Sequence, residues 1–179
     1  MEAGLRLVLL PTLLTTGATS LPEESEFCIS STYESILTPN SIVVVDLAYR
    51  VSTLGFLVLE DGVHNGNYWL SDVINGLEWV KANIAQFGGD PNKVTIFGES
   101  AGATAVMDIL ASPKTTGLYR AALLQSNGFA VPYLPISTVY NSTTLPILNA
   151  TGCLGAADQL ACLTAYNATE LVSLPHVAT

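Results

Sequence analysis

The stretch Gly98-Glu-Ser-Ala-Gly102 constrains the fold more than any other part of the chain, because of the segments that stand on either side of it. Residues 94–97 form a short apolar, partly β-branched run, typical of a buried strand, and residues 103–110 predict a helix. A G-x-S-x-G pattern is a weak signal by itself, but between a strand and a helix it predicts a nucleophile elbow. Glycine is needed two residues on either side of Ser100, because larger side chains there would collide.

On this interpretation, Ser100 has a strained backbone that projects its Oγ out of the turn. The Ala101 N–H lies near the start of the following helix, where it can help to bind a developing oxyanion. Ser100 is therefore the candidate catalytic nucleophile, and Ala101 is a candidate oxyanion-hole donor.

The segments around this turn predict a parallel sheet. Residues 41–49 contain Ile-Val-Val-Val, a continuous apolar run typical of a parallel strand buried on both faces. Between the strands, a helix is predicted from Ser71-Asp72 to Gly88-Gly89, with apolar residues at helical spacing at Val73, Leu77, Val80 and Ile84. Such a strand–helix–strand unit implies a right-handed crossover, and residues 121–125 add a strand. The predicted fold class is α/β, with a mostly parallel sheet flanked by helices.

The rest of the chain gives weaker local signals. Residues 50–56 predict a turn with apolar anchors, residues 61–68 a Gly/Asn-rich loop, and Ser112-Pro113 the end of the helix after Ser100. Beyond Asn127 several prolines predict irregular chain, with a short helix at about residues 156–164.

Composition limits the classes of function. Only 12% of the 179 residues are charged, against about 25% in an average domain, and 49% are apolar. A chain this apolar is expected to bury a core, and its low charge suggests a piece from the interior of a larger protein. The net charge is −9 and no basic cluster occurs, so nucleic acid and anionic membrane surfaces are not expected partners.

Residues 1–20 predict a secretory signal peptide. Leu7-Val-Leu-Leu-Pro-Thr-Leu-Leu14 supplies a short apolar core, and Ala18-Thr-Ser20 resembles a small-residue cleavage site. An ordinary apolar N-terminus is the alternative. No other apolar run approaches the ~20 residues of a membrane span, so no transmembrane segment is expected. Residues 21–179 are then the domain, and the protein is expected to be secreted and extracellular.

Cysteines and glycosylation sequons fit export. Cys153 and Cys162 can close a small disulfide loop, whereas Cys28 is left over. Three N-x-[ST] sequons, which are acceptors for N-linked glycans, cluster in the polar C-terminal part at Asn141, Asn149 and Asn167.

Several stretches together resemble the type-B carboxylesterases, a family that includes cholinesterases and secreted fungal lipases. Phe87-Gly-Gly-Asp-Pro-Asn-Lys-Val-Thr-Ile-Phe-Gly-Glu-Ser-Ala-Gly102 is the most specific, with residues 43–57, 66–72 and 77–80, and the likeness runs from about Phe27 to Glu170. The resemblance implies a partial α/β-hydrolase fold. It also implies hydrolysis of small-molecule or lipid carboxylic esters through a Ser/acid/His triad, with no metal or cofactor.

The family's site residues are carried over position by position. Ser100 matches the nucleophile, and Ala101 matches the residue whose N–H forms part of the oxyanion hole. Glu99 precedes the nucleophile as in the family and is not the triad acid, because it cannot reach the far side of a histidine ring. The resemblance also implies a disulfide loop and a structural ion pair, at Cys153–Cys162 and Arg50–Asp72.

The chain also departs from the family pattern. Pro22-Glu-Glu-Ser-Glu26 stands where a His-Gly-Gly-Gly stretch is expected, and Asn127 follows Gln125-Ser where the family usually has glycine. Asp158 or Glu170 with His176 would satisfy the order serine, acid, histidine, but no strand pair precedes His176. His64 is expected to be an exposed loop histidine.

We therefore expect a serine ester hydrolase by family, with no esterase activity from the chain as given. The triad acid, the histidine and the glycine-rich oxyanion loop are not found at matching positions. The alternative is a non-catalytic, cholinesterase-like binding or adhesion protein. An incomplete gene product would account for the missing glycines and the unpaired Cys28 together.

Overall fold

The computed structural model describes residues 7–11, 42–47, 49–126 and 133–174, with the backbone alone for residues 7–11 and 46. The strands are β1 (Leu7–Pro11), β2 (Val43–Leu47), β3 (Val94–Glu99) and β4 (Ala121–Gln125). The predictions for residues 22–26 and for Cys28, Asn127 and His176 concern positions outside the described part.

The four strands form one parallel sheet in the order β2-β1-β3-β4. β1 pairs along its whole length with β2, and its first residues pair with the start of β3. β4 pairs with β3 up to Glu99↔Gln125, so the carboxyl ends of these two strands lie side by side. The predicted parallel sheet is confirmed. The apolar run that predicts a secretory leader also supplies strand β1.

The chain divides into two compact units, and the first, residues 1–49 and 70–129, contains the sheet. The helices α2 (Tyr68–Asn83) and α3 (Ala101–Ala111) supply apolar faces to this unit. The residues predicted at helical spacing in α2 are all buried, together with the apolar residues of β3 and α3: Val73, Leu77, Val80, Ile84, Val94, Ile96, Phe97, Val106 and Ile109.

Helix α2 begins one turn earlier than the sequence pattern predicts. Its first residue is Tyr68, so the prediction of Ser71 as the N-cap is wrong. The physical reason lies just before the helix, where Gly66 and Asn67 have φ of 77° and 60°. Glycine and asparagine tolerate this left-handed region best, so the chain turns there and the helix starts directly afterwards.

The predicted end of α2 is confirmed. A short 3₁₀ helix, Ile84–Phe87, continues α2, and Gly88 then adopts φ 81°. The N–H groups of Gly88 and Gly89 donate to the carbonyls of Ala85 and Ile84 at 3.1 and 2.9 Å. These bonds satisfy carbonyls that would otherwise be left open at a helix end.

Helix α3 starts immediately after Ser100 and ends at Ala111, one residue before Ser112-Pro113, as predicted. Pro113 opens the 3₁₀ helix Pro113–Thr115. The buried Thr115 hydroxyl donates to the carbonyls of Ile109 and Ser112 at 2.7 and 2.8 Å, which fixes the connection to β4.

The second unit comprises residues 50–69 and 130–179. Its first element is helix α1 (Ser52–Phe56), so the prediction of a plain turn at residues 50–56 is wrong. The helix is a little over one turn long, which is too short for apolar periodicity to show in the sequence. Residues 61–67 form the predicted loop, which an isolated antiparallel bridge closes between Val58 and Asn65.

Residues 136–150 are helical throughout, where the prolines predict irregular chain. Helix α4 (Ile136–Val139), the π-helical turn Tyr140–Thr144 and helix α5 (Leu145–Ala150) follow one another without a break. Proline cannot donate to an ordinary helical ladder, but the helical type changes next to Pro146, so proline is accommodated within the helical run.

Two short helices complete this unit, α6 (Gln159–Ala165) and α7 (Ala168–Ser173). α6 confirms the predicted short helix with a later start, whereas α7 was not predicted. Asp158 caps α6 by accepting from Ala161 N at 2.8 Å, and Asn167 caps α7 in the same manner.

A separate apolar core holds the second unit together. Leu57, Leu59, Ile147, Leu148, Leu163 and Leu171 are buried in it with Cys153. Cys153 and Cys162 are joined by a disulfide, whose Cα atoms lie 5.8 Å apart. This bond ties the end of α5 to α6 and adds to a core that is small for independent stability.

Among the described residues, no helix is both long enough and apolar enough to cross a membrane.

Candidate active site

Ser100 occupies the single-residue turn between β3, which ends at Glu99, and α3, which begins at Ala101. Its backbone has φ 53° and ψ −117°, a combination that residues with a side chain rarely adopt, and the residue is exposed. Strain of this kind costs about 1–3 kcal/mol and persists only where the surroundings enforce it. The fold therefore holds Ser100 in a backbone conformation that a serine residue rarely adopts without such restraint.

Two glycines bring the strand and the helix into direct backbone contact at this turn. A Cβ placed on Gly98 would overlap the carbonyl group of Gly102 and would lie 2.8 Å from Ala103 N. Gly98 and Gly102 are both buried. The close approach explains why glycine is required at position 98, as the G-x-S-x-G pattern indicates.

Strand β4 fixes the turn from the other side. The Ser100 N–H donates to the Gln125 carbonyl at 2.9 Å, and the Ser100 carbonyl accepts from Thr104 N at 3.1 Å. Both backbone polar groups of the serine are therefore used by the sheet edge and by the first turn of α3. The side chain is the part of the residue that remains available for chemistry.

Ala101 is the first residue of α3, an 11-residue helix, and is exposed. The first N–H groups of a helix have no partner within it and carry its partial positive charge. The Ala101 N–H therefore lies beside Ser100 with the properties of an oxyanion donor. A complete oxyanion hole needs further donors, and the residues predicted to stand in their place, 22–26, are outside the described part.

The triad partners considered from sequence that the structure describes have other roles. Of the two histidines, His64 pairs with Asp61, and His176 lies outside the described residues. The Asp158 carboxylate is occupied as the N-cap of α6, and Glu170 lies exposed in the first turn of α7. These positions give no support to a triad built from Asp158 or Glu170.

His64 has a structural role that the sequence analysis missed. Its Nδ1 lies 2.6 Å from Asp61 Oδ2, and Asp61 Oδ1 accepts from the N–H groups of Val63 and His64 at 2.9 and 2.8 Å. Hydrogen bonds from the His64 backbone, the His64 imidazole and the Val63 backbone hold the pKa of the Asp61 carboxyl well below its usual range. Asp-x-x-His in a Gly-containing turn was the available signal.

Arg50 also has a partner within its own unit. Its guanidinium lies 5.5 Å from the ring centre of Tyr68, a cation–π arrangement. The ion pair with Asp72 that the resemblance implies stays a prediction.

Strand, strained serine and helix on a parallel sheet define the class: an α/β protein with the geometry of a nucleophile elbow. Within that class, the Carboxylesterase family model matches residues 17–177. The chain belongs to the carboxylesterase family, whose members are α/β-hydrolases.

Individual relatives carry the names of esterases and of a neuroligin. The chain is 36% identical over 162 residues to sheep (Ovis aries) carboxylesterase 5A, covering 89% of the chain and 40% of that protein. It is 34% identical over 151 residues to human (Homo sapiens) cocaine esterase, covering 83% of the chain and 27% of that protein. It is 40% identical over 138 residues to mouse (Mus musculus) neuroligin-3, covering 74% of the chain and 16% of that protein. The chain therefore spans 40% or less of the length of these relatives.

Proposed function

We propose that this chain is the nucleophile-bearing part of a carboxylic ester hydrolase that works through Ser100 and an acyl-enzyme. The observation that carries the proposal is the backbone of Ser100, exposed at φ 53° between β3 and α3. Ser52 and Ser126 also have positive φ, but Ser100 combines it with exposure and with a position directly before the first N–H groups of the 11-residue helix α3. Membership of the carboxylesterase family supports the same reaction.

The chemistry follows from the two candidate residues. Ser100 Oγ attacks the ester carbonyl carbon while a histidine takes the serine proton, and the carbonyl oxygen becomes an oxyanion. The Ala101 N–H at the start of α3 donates to that oxyanion. The tetrahedral intermediate collapses, the alcohol leaves with the proton, and water then hydrolyses the acyl-enzyme by the reverse sequence.

The substrate is proposed as a small-molecule or lipid carboxylic ester, and the reaction as one without a cofactor. Two relatives are named acylcarnitine hydrolase and cocaine esterase, and both names denote attack on an ester bond. A net charge of −9 gives no attraction for nucleic acid.

We further propose that the 179-residue chain alone does not turn over esters. The histidine that the structure describes, His64, is paired with Asp61. Loss of triad function costs about 10⁶ in turnover, and loss of one oxyanion donor costs about 10²–10³. Hydrolysis of p-nitrophenyl esters above background that disappears in Ser100→Ala would contradict this.

The nucleophile assignment is tested by fluorophosphonate labelling and peptide mapping of the intact hydrolase of which this chain is proposed to be a part, because the probe needs a serine that a general base activates. We expect the label on Ser100, no label in Ser100→Ala, and unchanged labelling in Ser71→Ala, an exposed helical serine that serves as the control. A label elsewhere, or a chain that stays unlabelled throughout, would overturn the assignment.

A non-catalytic binding or adhesion protein is the second candidate. The 40% identity to neuroligin-3, which exceeds the 36% and 34% identity to carboxylesterase 5A and cocaine esterase, favours it. Binding through a surface would not require a strained, exposed serine. Retention of partner binding by Ser100→Ala together with absence of labelling in the intact wild-type protein would favour this candidate.

Export to the extracellular space is proposed from residues 1–20, from the sequons and from the Cys153–Cys162 disulfide. N-terminal sequencing of secreted protein tests the leader. Removal of residues 1–20 would also remove β1, the strand through which β2 joins β3 in the described sheet. A mature N-terminus at about residue 21 supports the leader, and a secreted chain that starts at Met1 contradicts it.

A further inference from the structure

Three sequons occur within the second unit, and the structure distinguishes them. Asn141 lies in the π-helical turn, Asn149 lies in α5, and Asn167 is the residue that caps α7. All three side chains are exposed, so exposure alone does not separate them. They differ in the use of the two groups that glycan transfer requires: the asparagine amide nitrogen and the hydroxyl two residues later.

At Asn141 the amide nitrogen is already a hydrogen-bond donor. Nδ2 donates to the Ser137 carbonyl at 2.7 Å, one helical turn earlier. A sugar on Nδ2 replaces one of its two hydrogens and adds bulk beside the helix backbone. The hydroxyl of this sequon, on Thr143, lies 3.5 Å from Ser142 Oγ and is partly buried.

In the Asn149 sequon, the Thr151 hydroxyl is the group that already makes a hydrogen bond. Thr151 Oγ1 donates to the Ile147 carbonyl at 2.9 Å and approaches the Leu148 carbonyl at 3.3 Å. These bonds close the end of α5 directly over two core residues, since Ile147 and Leu148 are fully buried. Freeing the hydroxyl would open the helix end.

At Asn167 the structure leaves both groups available. Its Oδ1 accepts from Thr169 N at 2.9 Å and from Glu170 N at 3.1 Å, which are the capping bonds of α7. Within the described part of the chain, neither Asn167 Nδ2 nor the Thr169 hydroxyl has a hydrogen-bond partner. A glycan on Nδ2 therefore leaves the cap intact, because the cap uses only Oδ1.

We propose that Asn167 is the N-glycan acceptor of this chain and that Asn141 and Asn149 stay unmodified in the folded protein. The inference rests on the proposed export. The donor is a lipid-linked oligosaccharide pyrophosphate: Nδ2 bonds to the first sugar carbon, the bond from that carbon to the pyrophosphate oxygen breaks, and Nδ2 loses one proton. The lipid pyrophosphate is the leaving group.

The test expresses the full chain in eukaryotic cells in two forms. In one form a heterologous secretory leader precedes the chain, and in the other the chain keeps its own N-terminus. Enzymatic glycan release converts a modified asparagine to aspartate, which peptide mapping detects. We expect conversion at Asn167 alone and a mass decrease of one glycan per chain. Asn167→Asp is the matched variant, because aspartate caps a helix as well as asparagine does but cannot be glycosylated.

Asn167→Asp is expected to remove the mass shift completely, Thr169→Ser to retain it and Thr169→Val to lose it. Asn141→Asp and Asn149→Asp are expected to leave the shift unchanged. Glycan at Asn141 or Asn149 at comparable occupancy, or an unmodified Asn167 in chain delivered by the heterologous leader, would overturn the inference. Absence of the glycan only in the chain with its own N-terminus counts against the proposed export and not against the choice of Asn167. Formation of the Cys153–Cys162 disulfide shows whether the chain reached an oxidising compartment.

Discussion

Three described serines, Ser52, Ser100 and Ser126, have positive φ, and two of them stand beside a helix and can be compared. Ser52 and Ser100 have φ of 56° and 53°, and each stands where a chain segment after a parallel strand enters a helix. Each turn also contains a glycine pressed against backbone, Gly55 against the Arg50 carbonyl and Gly98 against that of Gly102.

The two turns differ in the exposure of the serine and in the length of the helix after it. Ser52 is partly buried and its helix has 5 residues, whereas Ser100 is exposed and its helix has 11 residues. A longer helix aims a full set of unpaired N–H groups at the turn. Positive φ alone therefore marks a tight connection, and it indicates a nucleophile only when the side chain faces solvent beside a helix N-terminus.

The largest expected difference between the serines is chemical. Ser100→Ala should abolish fluorophosphonate labelling, while Ser52→Ala should leave labelling of Ser100 unchanged, because only Ser100 has an exposed hydroxyl beside a long helix. Intact-mass measurement of the two variants checks this. Loss of labelling in Ser52→Ala, with its unfolding transition preserved, would remove the distinction.

Replacement of Gly98 or of Gly55 by alanine should lower the stability of the fold by similar amounts. Gly98→Ala and Gly55→Ala each force a Cβ into backbone, so each should lower the free energy of unfolding by about 3 kcal/mol. Urea unfolding followed by the fluorescence of Trp69 and Trp79 measures the loss. Gly155→Ala is the control, since a Cβ there meets nothing within 4 Å. Near-neutral Gly98→Ala would show that β3 and α3 do not touch at this point.

Replacement of each serine by glycine should release strain. Ser100→Gly should stabilise the fold by about 1 kcal/mol, the balance of strain relieved and the entropy cost of glycine. Ser52→Gly should gain less, because Ser52 is partly buried and glycine removes the packing contacts of its side chain. Urea midpoints compare the two, and a larger gain at Ser52 would reverse the ranking of strain.

The smallest effect concerns acid stability of the loop that comes after α1. The Asp61 pKa is lowered in the folded state, so its contribution is present above the unfolded pKa of about 3.9 and is lost as pH falls below it. Asp61→Asn should therefore reduce stability at pH 7 and reduce it less near pH 2. Glu60→Gln, at an exposed neighbour without a described hydrogen bond, is the control. Equal effects of Asp61→Asn at both pH values would contradict the assignment.

Much of the sheet unit can be predicted from sequence, because its signals are local and consistent. The buried positions of α2 recur at helical spacing, the helix ends at a glycine pair, and the elbow glycines bracket Ser100. Periodicity and turn chemistry therefore locate these elements without any knowledge of the rest of the chain.

The second unit was predicted less well, for physical reasons. Pro146 suggests a break, yet the helical run passes through it by a change of helical type. The left-handed Asn67 moves the start of α2 to a position that no capping residue marks. The Asp61–His64 pair depends on a loop geometry that sequence does not fix. Of the site, Ser100 and Ala101 could be located from sequence, because an elbow is a local structure, whereas a triad is assembled from distant segments.

The hydrogen bond from the Ser100 N–H to the Gln125 carbonyl has a consequence for synthesis on the ribosome. The carbonyl that pins the serine belongs to a strand made after it, so a nascent chain that has emerged only as far as α3 lacks this restraint. The turn at Ser100 therefore has its full set of backbone hydrogen bonds only once residues 121–125 have been synthesised and paired with β3.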